Sequence, residues 1–282
     1  MKVHKSFAKI ASNYRLLFLD AYGVLKNSKG IIEGVPDVLA GFRGSGIDYV
    51  VITNDASRSP EKMAEVYSHP VHGELAPPDK IISSGLLAGE FLEAKVKKGK
   101  VAYIGKPESA YYIERAGLVP VPVSKVEEAD SINALVLLDD EGFDWFLEIN
   151  RAVNLLRRIN IPVVVANTDI SYPVNSQEVA VAVGSLANMM ENVIRKTFIR
   201  FGKPDTQIFS YSLARVRAKY PDIKKRDILM VGDTLRTDIL GANKFGIDTV
   251  LVLSGNIQRE KANLMIQSSG IIPTYICESI TT

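Results

Sequence analysis

Apolar runs of strand length alternate with amphipathic stretches along almost the whole chain. The runs are RLLFLD (15–20), DYVVITN (48–54), KIISS (80–84), KVAYIG (100–105), ALVLLDD (134–140), IPVVVANTD (161–169), DILMVGD (227–233) and DTVLVLSG (248–255). Their hydrophobicity is continuous rather than alternating, which suits strands covered on both faces. Between them PDVLAGFRGSG, SAYYIERAG, DWFLEINRAVNLLRRIN, VGSLANMMENVIRKTF and TQIFSYSLARVRAKY read as helices, several ending near Gly or Pro. The pattern predicts an α/β fold of βαβ units around a parallel sheet.

In open parallel sheets ligands bind beyond the carboxyl ends of the strands, so the residues that end each run are the place to look for chemistry. The first run ends on Asp20, the second on Thr53 and Asn54, and a later one on Gly232 and Asp233, with Asp238 following in TLRTDILGANKFG. Each alone reads as a helix cap; together they point to a site. Five residues on an ideal helix would turn Asp233 and Asp238 to different sides, at about 100° per residue. With Asp233 in the loop before the helix and Asp238 in its first turn, both can face one place. Carboxylates converging there with Asp20 would repel unless a cation or a shared proton intervened, and an open all-oxygen set favours Mg²⁺. GKPD (202–205) brings the opposite charge on the flexible stem of Lys203. GKPE at 105–108 repeats the local pattern without matching strand-end acids, so Lys106 is read as structural.

Composition narrows the classes. The 282 residues are 46% hydrophobic and 23% charged, enough for one large domain or two ordinary ones. Basic and acidic residues number 34 and 32, a net charge of +2 without long blocks of either sign, which gives no footprint for nucleic acid. The run Lys224, Lys225, Arg226 reads as a solvated loop. A single cysteine, Cys277, cannot form an intrachain disulfide, and no Cys/His cluster has zinc spacing. The amino-terminal stretch lacks an apolar core of signal-peptide length and no apolar run is long enough for a membrane span. The expected location is cytoplasmic.

DAYGVL, VVITNDASRS, GKPD and MVGDTLRTDILGANKFG resemble the four ordered motifs of the haloacid dehalogenase (HAD) superfamily, whose members are mostly Mg²⁺-dependent phosphatases. The first two motifs are close together, whereas well over a hundred residues separate Thr53 from Lys203. That spacing is similar to the NagD-like class IIA subfamily, in which an α/β cap of the C2 type is inserted between the second and third motifs. The resemblance implies a Rossmann-like core with a parallel sheet, residues 1–82 and 183–282, and an inserted cap, residues 83–182. It also implies roles. Asp20 would be the nucleophile; Asp20, the backbone carbonyl of Tyr22 and Asp233 would hold Mg²⁺, with Asp238 adjusting the ion's surroundings. Thr53, Asn54, Asp55 and Lys203 would hold phosphate oxygens of a small phosphorylated metabolite, such as a sugar phosphate. In the cap, Asn167 and Asp169 of ANTDISYP are candidates for substrate contact, beside the plainer reading of a capped turn. Asp139, Asp140 and Glu141 read as a solvent-facing loop, and His4, His69 and His72 carry no chemistry. Relatives dimerise through the cap, so a homodimer is implied as well.

One position departs from the phosphatase pattern. Those enzymes carry a second Asp two residues after the nucleophile as general acid and base; here it is Tyr22, which resembles the dehalogenases, whose halide leaves without a proton. The phenol of Tyr22 is the candidate catalytic substitute, a poor base at neutral pH. Those dehalogenases use no Mg²⁺ and place their cap between the first two motifs, so Asp233, Asp238 and the cap position favour phosphomonoester hydrolysis over carbon–halogen hydrolysis. A catalytically weak phosphometabolite-binding protein is the third reading, disfavoured because a pure binder has no need of Asp20.

Overall fold

The structure, a computed structural model, describes residues 3–127, 131–175 and 178–282. Among the described residues, twelve strands build two larger sheets. In chain order they are β1 (Val3–His4), β2 (Leu16–Leu19), β3 (Asp48–Thr53), β4 (Ile81–Ser83), β5 (Lys100–Ile104), β6 (Val119–Pro122), β7 (Ile132–Leu137), β8 (Val163–Val165), β9 (Ile199–Arg200), β10 (Ile228–Gly232), β11 (Asp248–Val252) and β12 (Tyr275–Cys277). The chain divides into two compact units.

The first unit is Met1–Thr53, Pro60–Ile82 and Lys203–Thr282. Its sheet runs β1-β12-β11-β10-β2-β3-β4, and the pairs from β1 to β3 are parallel. All four residues of β2 are buried, as expected for a central strand covered on both faces. Register matters more than composition here. Leu19 lies opposite both Val51 and Val231, so β2, β3 and β10 run out within two residues of one level. The backbone N–H of Asp20 donates to the Val231 carbonyl at 2.9 Å, which continues the ladder one step beyond the strand. One core packs Leu17, Leu19, Val51 and Val231 with Phe7, Leu39 and Phe42.

The second unit is Asn54–Ser59 with Ser83–Gly202. Its sheet, β6-β5-β7-β8-β9, is parallel throughout. Leu135, Leu137, Val163 and Val165 pack with Leu155 of the Trp145–Arg158 helix and with Leu186 and Met190 of the Val183–Ile194 helix. The Trp145–Arg158 helix starts where the Asp144 carboxylate accepts from the Leu147 N–H at 2.8 Å, and it carries Arg157 and Arg158 in its last turn, where the helix dipole favours cations. The return to the first unit comes at Lys203 rather than at residue 183. The Val183–Ile194 helix buries Val183, Leu186, Ala187 and Met190 in the second core, and β9 pairs with β8.

All eight strand-length runs form strands. The strands without a strong sequence signal are β1, β6, β9 and β12, each two to four residues long. Three of these are sheet edges, and β6 contains two prolines, which a fully paired strand does not tolerate.

The amino end of β3 is tied by charge. Asp48 is bonded by Lys80 at 2.5 Å, by Lys219 at 2.8 Å and by the Tyr220 hydroxyl at 2.8 Å. Burial works to raise the Asp48 carboxyl, but the bonds from Lys219, Lys80 and Tyr220 together outweigh it and hold the group below the usual carboxylate range. A carboxyl depressed in the folded state contributes stability above its unfolded pKa and loses it as pH falls. Urea unfolding should therefore show Asp48→Asn less stable than the native protein by roughly 1–3 kcal/mol at neutral pH. That gap should narrow below about pH 4. Equal stability at neutral pH would show that the cluster is energetically idle.

Candidate active site

The level strand ends of the first unit carry its charged groups. Asp20 follows β2, Asp233 follows β10, and Lys203 opens the segment that leads into the Thr206–Arg217 helix. The Lys203 ammonium lies 2.6 Å from Asp20 Oδ1 and 2.7 Å from Asp238 Oδ1, and its side chain is only 2% exposed. Asp238 sits in a wide π turn, Leu235–Ile239, rather than an ordinary α turn. The amides of Asp238 and Ile239 both donate to the Thr234 carbonyl. This extra residue per turn, a feature common at functional sites, helps a carboxylate five positions after Asp233 return to the same side. Its Oδ2 accepts from the Thr234 N–H at 3.0 Å.

Asp233 is held from two directions. The Thr234 hydroxyl donates to Oδ1 at 2.7 Å and the Asn256 N–H to Oδ2 at 2.8 Å. Gly23 turns the chain after Asp20 with a φ of +76°, and a Cβ at that position would stand 2.1 Å from Asp233 Oδ2. Only glycine fits both constraints. Ser254 closes the same turn by donating to the Gly23 carbonyl at 2.6 Å. Ser254 and Asn256 were not among the residues singled out from sequence. They follow β11, the strand of DTVLVLSG, and the strand-end rule points to them too.

One ligand oxygen from each of Asp20, Asp233 and Asp238 lies within 4.8 Å of the others. Three carboxylates face one ammonium, so negative charge is in excess. Burial, then the charge of Asp238, pushes Asp20 well above its ordinary range against the pull of Lys203. Burial and Asp238 likewise raise Asp233 to about 7. For Lys203, burial would favour the neutral amine, but Asp20 and Asp238 outweigh it and keep the ammonium. The donor set is all oxygen, is anionic beyond what Lys203 neutralises, and is drawn from rigid strand ends. That chemistry fits a hard metal cation.

The other candidates divide between the two units. Tyr22, partly buried, pairs with Lys26 in the turn after β2. Thr53 is buried as the last residue of β3, one place past the level of Asp20. Asn54 and Asp55 belong to the second unit, as do Asn167 and Asp169. The Asn54 amide donates to Asp169 Oδ1 at 2.9 Å and Thr168 Oγ1 at 3.1 Å, beyond the end of β8. Asn167 Oδ1 accepts from the Asp169 N–H at 2.9 Å, the capped turn of the plainer reading, and Asp55 Oδ1 caps its own loop through the Ser57 N–H at 2.8 Å. The loop after β7 is not solvent-facing as expected. Asp139 and Asp140 are 8% and 7% exposed, because the indole of Trp145 and the phenol of Tyr172 bond Asp140 at 2.9 and 3.0 Å; only Glu141 is exposed.

Comparison with known proteins agrees with this arrangement. Residues 17–119 match the family model described as haloacid dehalogenase-like hydrolase, and residues 200–282 a HAD-hydrolase-like model. A crystal structure from Cytophaga hutchinsonii, described as a "possible sugar phosphatase" of the HAD superfamily, is 48% identical with a TM-score of 0.94, over 100% of this chain and 99% of that one. The glycerol-3-phosphate phosphatase of Gallus gallus is 26% identical over 96% of this chain and 91% of its own length. A glycerol phosphate phosphatase of Mycobacterium tuberculosis in complex with magnesium shares the fold, with a TM-score of 0.77 at 24% identity over 98% of this chain and 77% of that one. Full-length likeness on this scale, joined to the cradle of Asp20, Lys203, Asp233 and Asp238, identifies the chain as a hydrolase that belongs to the haloacid dehalogenase superfamily, in its NagD-like phosphatase branch.

Proposed function

We propose that this protein is a Mg²⁺-dependent phosphatase that hydrolyses a small phosphomonoester, a sugar phosphate or polyol phosphate, through an aspartyl-phosphate on Asp20. The observation that carries the reading is the buried cradle in which Lys203 bridges Asp20 and Asp238 while Asp233 stands alongside. Asp20, the Tyr22 carbonyl and Asp233 would hold Mg²⁺, and Asp238 would orient its surroundings. Bound there, the ion supplies positive charge against the phosphoryl oxygens and lowers the repulsion between phosphate and carboxylates.

An Asp20 carboxylate oxygen attacks phosphorus, the phosphorus–oxygen ester bond breaks, and the leaving alkoxide takes a proton. Water then attacks the aspartyl-phosphate, releasing inorganic phosphate and restoring Asp20. Lys203 and Thr53 bind phosphate oxygens in the in-line transition state, where fixed donors are worth most. Lys203 opposes the burial and the Asp238 charge that push Asp20 upward, and so favours the anion a nucleophile requires. The second unit acts as the class IIA cap and selects the substrate. The relatives named for glycerol phosphate and sugar phosphates support small polyol esters as the class.

Tyr22 stands where these phosphatases usually carry their acid–base Asp. A positioned acid is worth roughly 10²- to 10⁴-fold, small beside the total acceleration of phosphate-ester hydrolysis, so turnover survives its loss. The cost falls on substrates whose leaving oxygen needs a proton.

Release of p-nitrophenol from p-nitrophenyl phosphate, whose leaving group departs unprotonated, should require Mg²⁺, cease with chelator, and fall by roughly 10³-fold or more in Asp20→Asn. Metal-independent turnover, or turnover retained in Asp20→Asn, would sink the mechanism. Tyr22→Asp should accelerate hydrolysis of alkyl phosphates by about tenfold or more while changing the p-nitrophenyl ester much less. An equal effect on both esters would show that Tyr22 is not at the acid position.

A further inference from the structure

The second unit repeats, at its own strand ends, the device of the first. Beyond β5 and β7 stand Lys106 and the sequence Asp139, Asp140, Glu141. Lys106 forms an ion pair with Glu141 and lies 3.8 Å from Asp139 Oδ2. Gly142 packs so closely on Lys106 that a Cβ would come within 2.8 Å of its Cα, which sets the loop against the lysine. Asp139 Oδ1 is used by the loop itself, accepting from the Asp140 N–H at 2.9 Å. Asp139 Oδ2 is buried and has no hydrogen-bond partner among the described residues.

An unpaired buried carboxylate oxygen is costly unless something else bonds it. Hydrogen bonds to a common oxygen at about 2.8 Å are within reach of two atoms separated as Lys106 Nζ and Asp139 Oδ2 are. The atom that satisfies both must accept from the ammonium and donate to the carboxylate, which is the bonding pattern of an O–H group, whether of water or of a ligand hydroxyl that displaces it. Fully ionised phosphate and carboxylate oxygens only accept, and they would meet more negative than positive charge. Asp55, Asp139, Asp140 and Glu141 are set against Lys106 and Arg58, whose fields act on the same cluster. Burial, opposed by Lys106, lifts Asp139 to about 6, as expected for a carboxyl whose second oxygen lacks a donor.

We infer that Lys106 and Asp139 form a hydroxyl-binding subsite, which takes a neutral polyol and rejects a second anionic group. The assignment rests on the phosphatase reading only for its role in choosing substrates; the binding itself does not. The molecule's single tryptophan reports on it, since the Trp145 indole N–H donates to the Asp140 carbonyl at 2.9 Å.

Fluorescence titration of the whole protein compares threitol with tartrate, which has the same four-carbon skeleton but two carboxylates, at matched ionic strength. Threitol should shift Trp145 emission saturably and tartrate should not. Asp139→Asn, which keeps the Oδ1 that holds the loop, and Lys106→Met should each weaken the threitol response about tenfold. In both variants the ratio of kcat/KM for erythritol 4-phosphate to that for p-nitrophenyl phosphate should fall by a similar factor. A native protein that responds to threitol but cleaves no phosphomonoester would overturn the phosphatase reading and leave the subsite standing. Normal turnover with no saturable threitol shift, or with responses and ratios unchanged in both variants, would overturn the subsite alone.

Discussion

The buried ammonium of Lys203 is the constraint on which the first unit depends. It bonds Asp20 and Asp238 at once and offsets part of the mutual repulsion of three carboxylates delivered to one place, and its own burial would not be tolerated without them. The balance works only if the chain brings each group out at the same height. The parallel sheet does this by register, with Leu19 opposite Val51 and Val231, and the turns after the strands do the rest. Gly23 leaves room for Asp233, and the π turn brings Asp238 back beside Lys203. The residual negative charge is what suits the cradle to a cation.

The second unit shows the same logic with different chemistry. Its sheet is also parallel, and its strand ends carry Lys106, Asp139, Asn167 and Asp169. Hydrogen bonds rather than bare charges dominate there: Asn54 reaches Asp169, Tyr172 reaches Asp140, and Trp145 bonds the loop backbone. On the readings proposed above, such a surface recognises hydroxyl pattern, whereas the first unit stabilises charge.

Asp20 and Asp233 were legible in the sequence because each ends a long apolar run, and Lys203 because GKPD is a local motif; local motifs survive without tertiary information. The α/β class was legible for the same reason. The π turn was not, since Asp238 looks like any first-turn acid until the donors to Thr234 are seen. Asp139 and Asp140 were misread because an acidic triplet ordinarily lies in solvent. The residues that bury them include Trp145, which opens the next helix, and Tyr172, which is 32 positions later. The return to the first unit was placed too early because the Val183–Ile194 helix carries no mark of the core it joins. Edge strands such as β6 escaped because partial exposure and proline dilute the apolar pattern.

Strand β3 begins at Asp48 and ends at Thr53, so its two termini are roughly 17 Å apart at about 3.3 Å per residue. Asp48 anchors two lysines and a tyrosine at one end, while the other end reaches one place past the level of Asp20, the proposed nucleophile. Selection can therefore adjust thermal endurance and chemical rate as nearly independent traits on a single six-residue segment. A lineage moving to hotter or more acidic surroundings could rework the Asp48 end and leave its chemistry untouched.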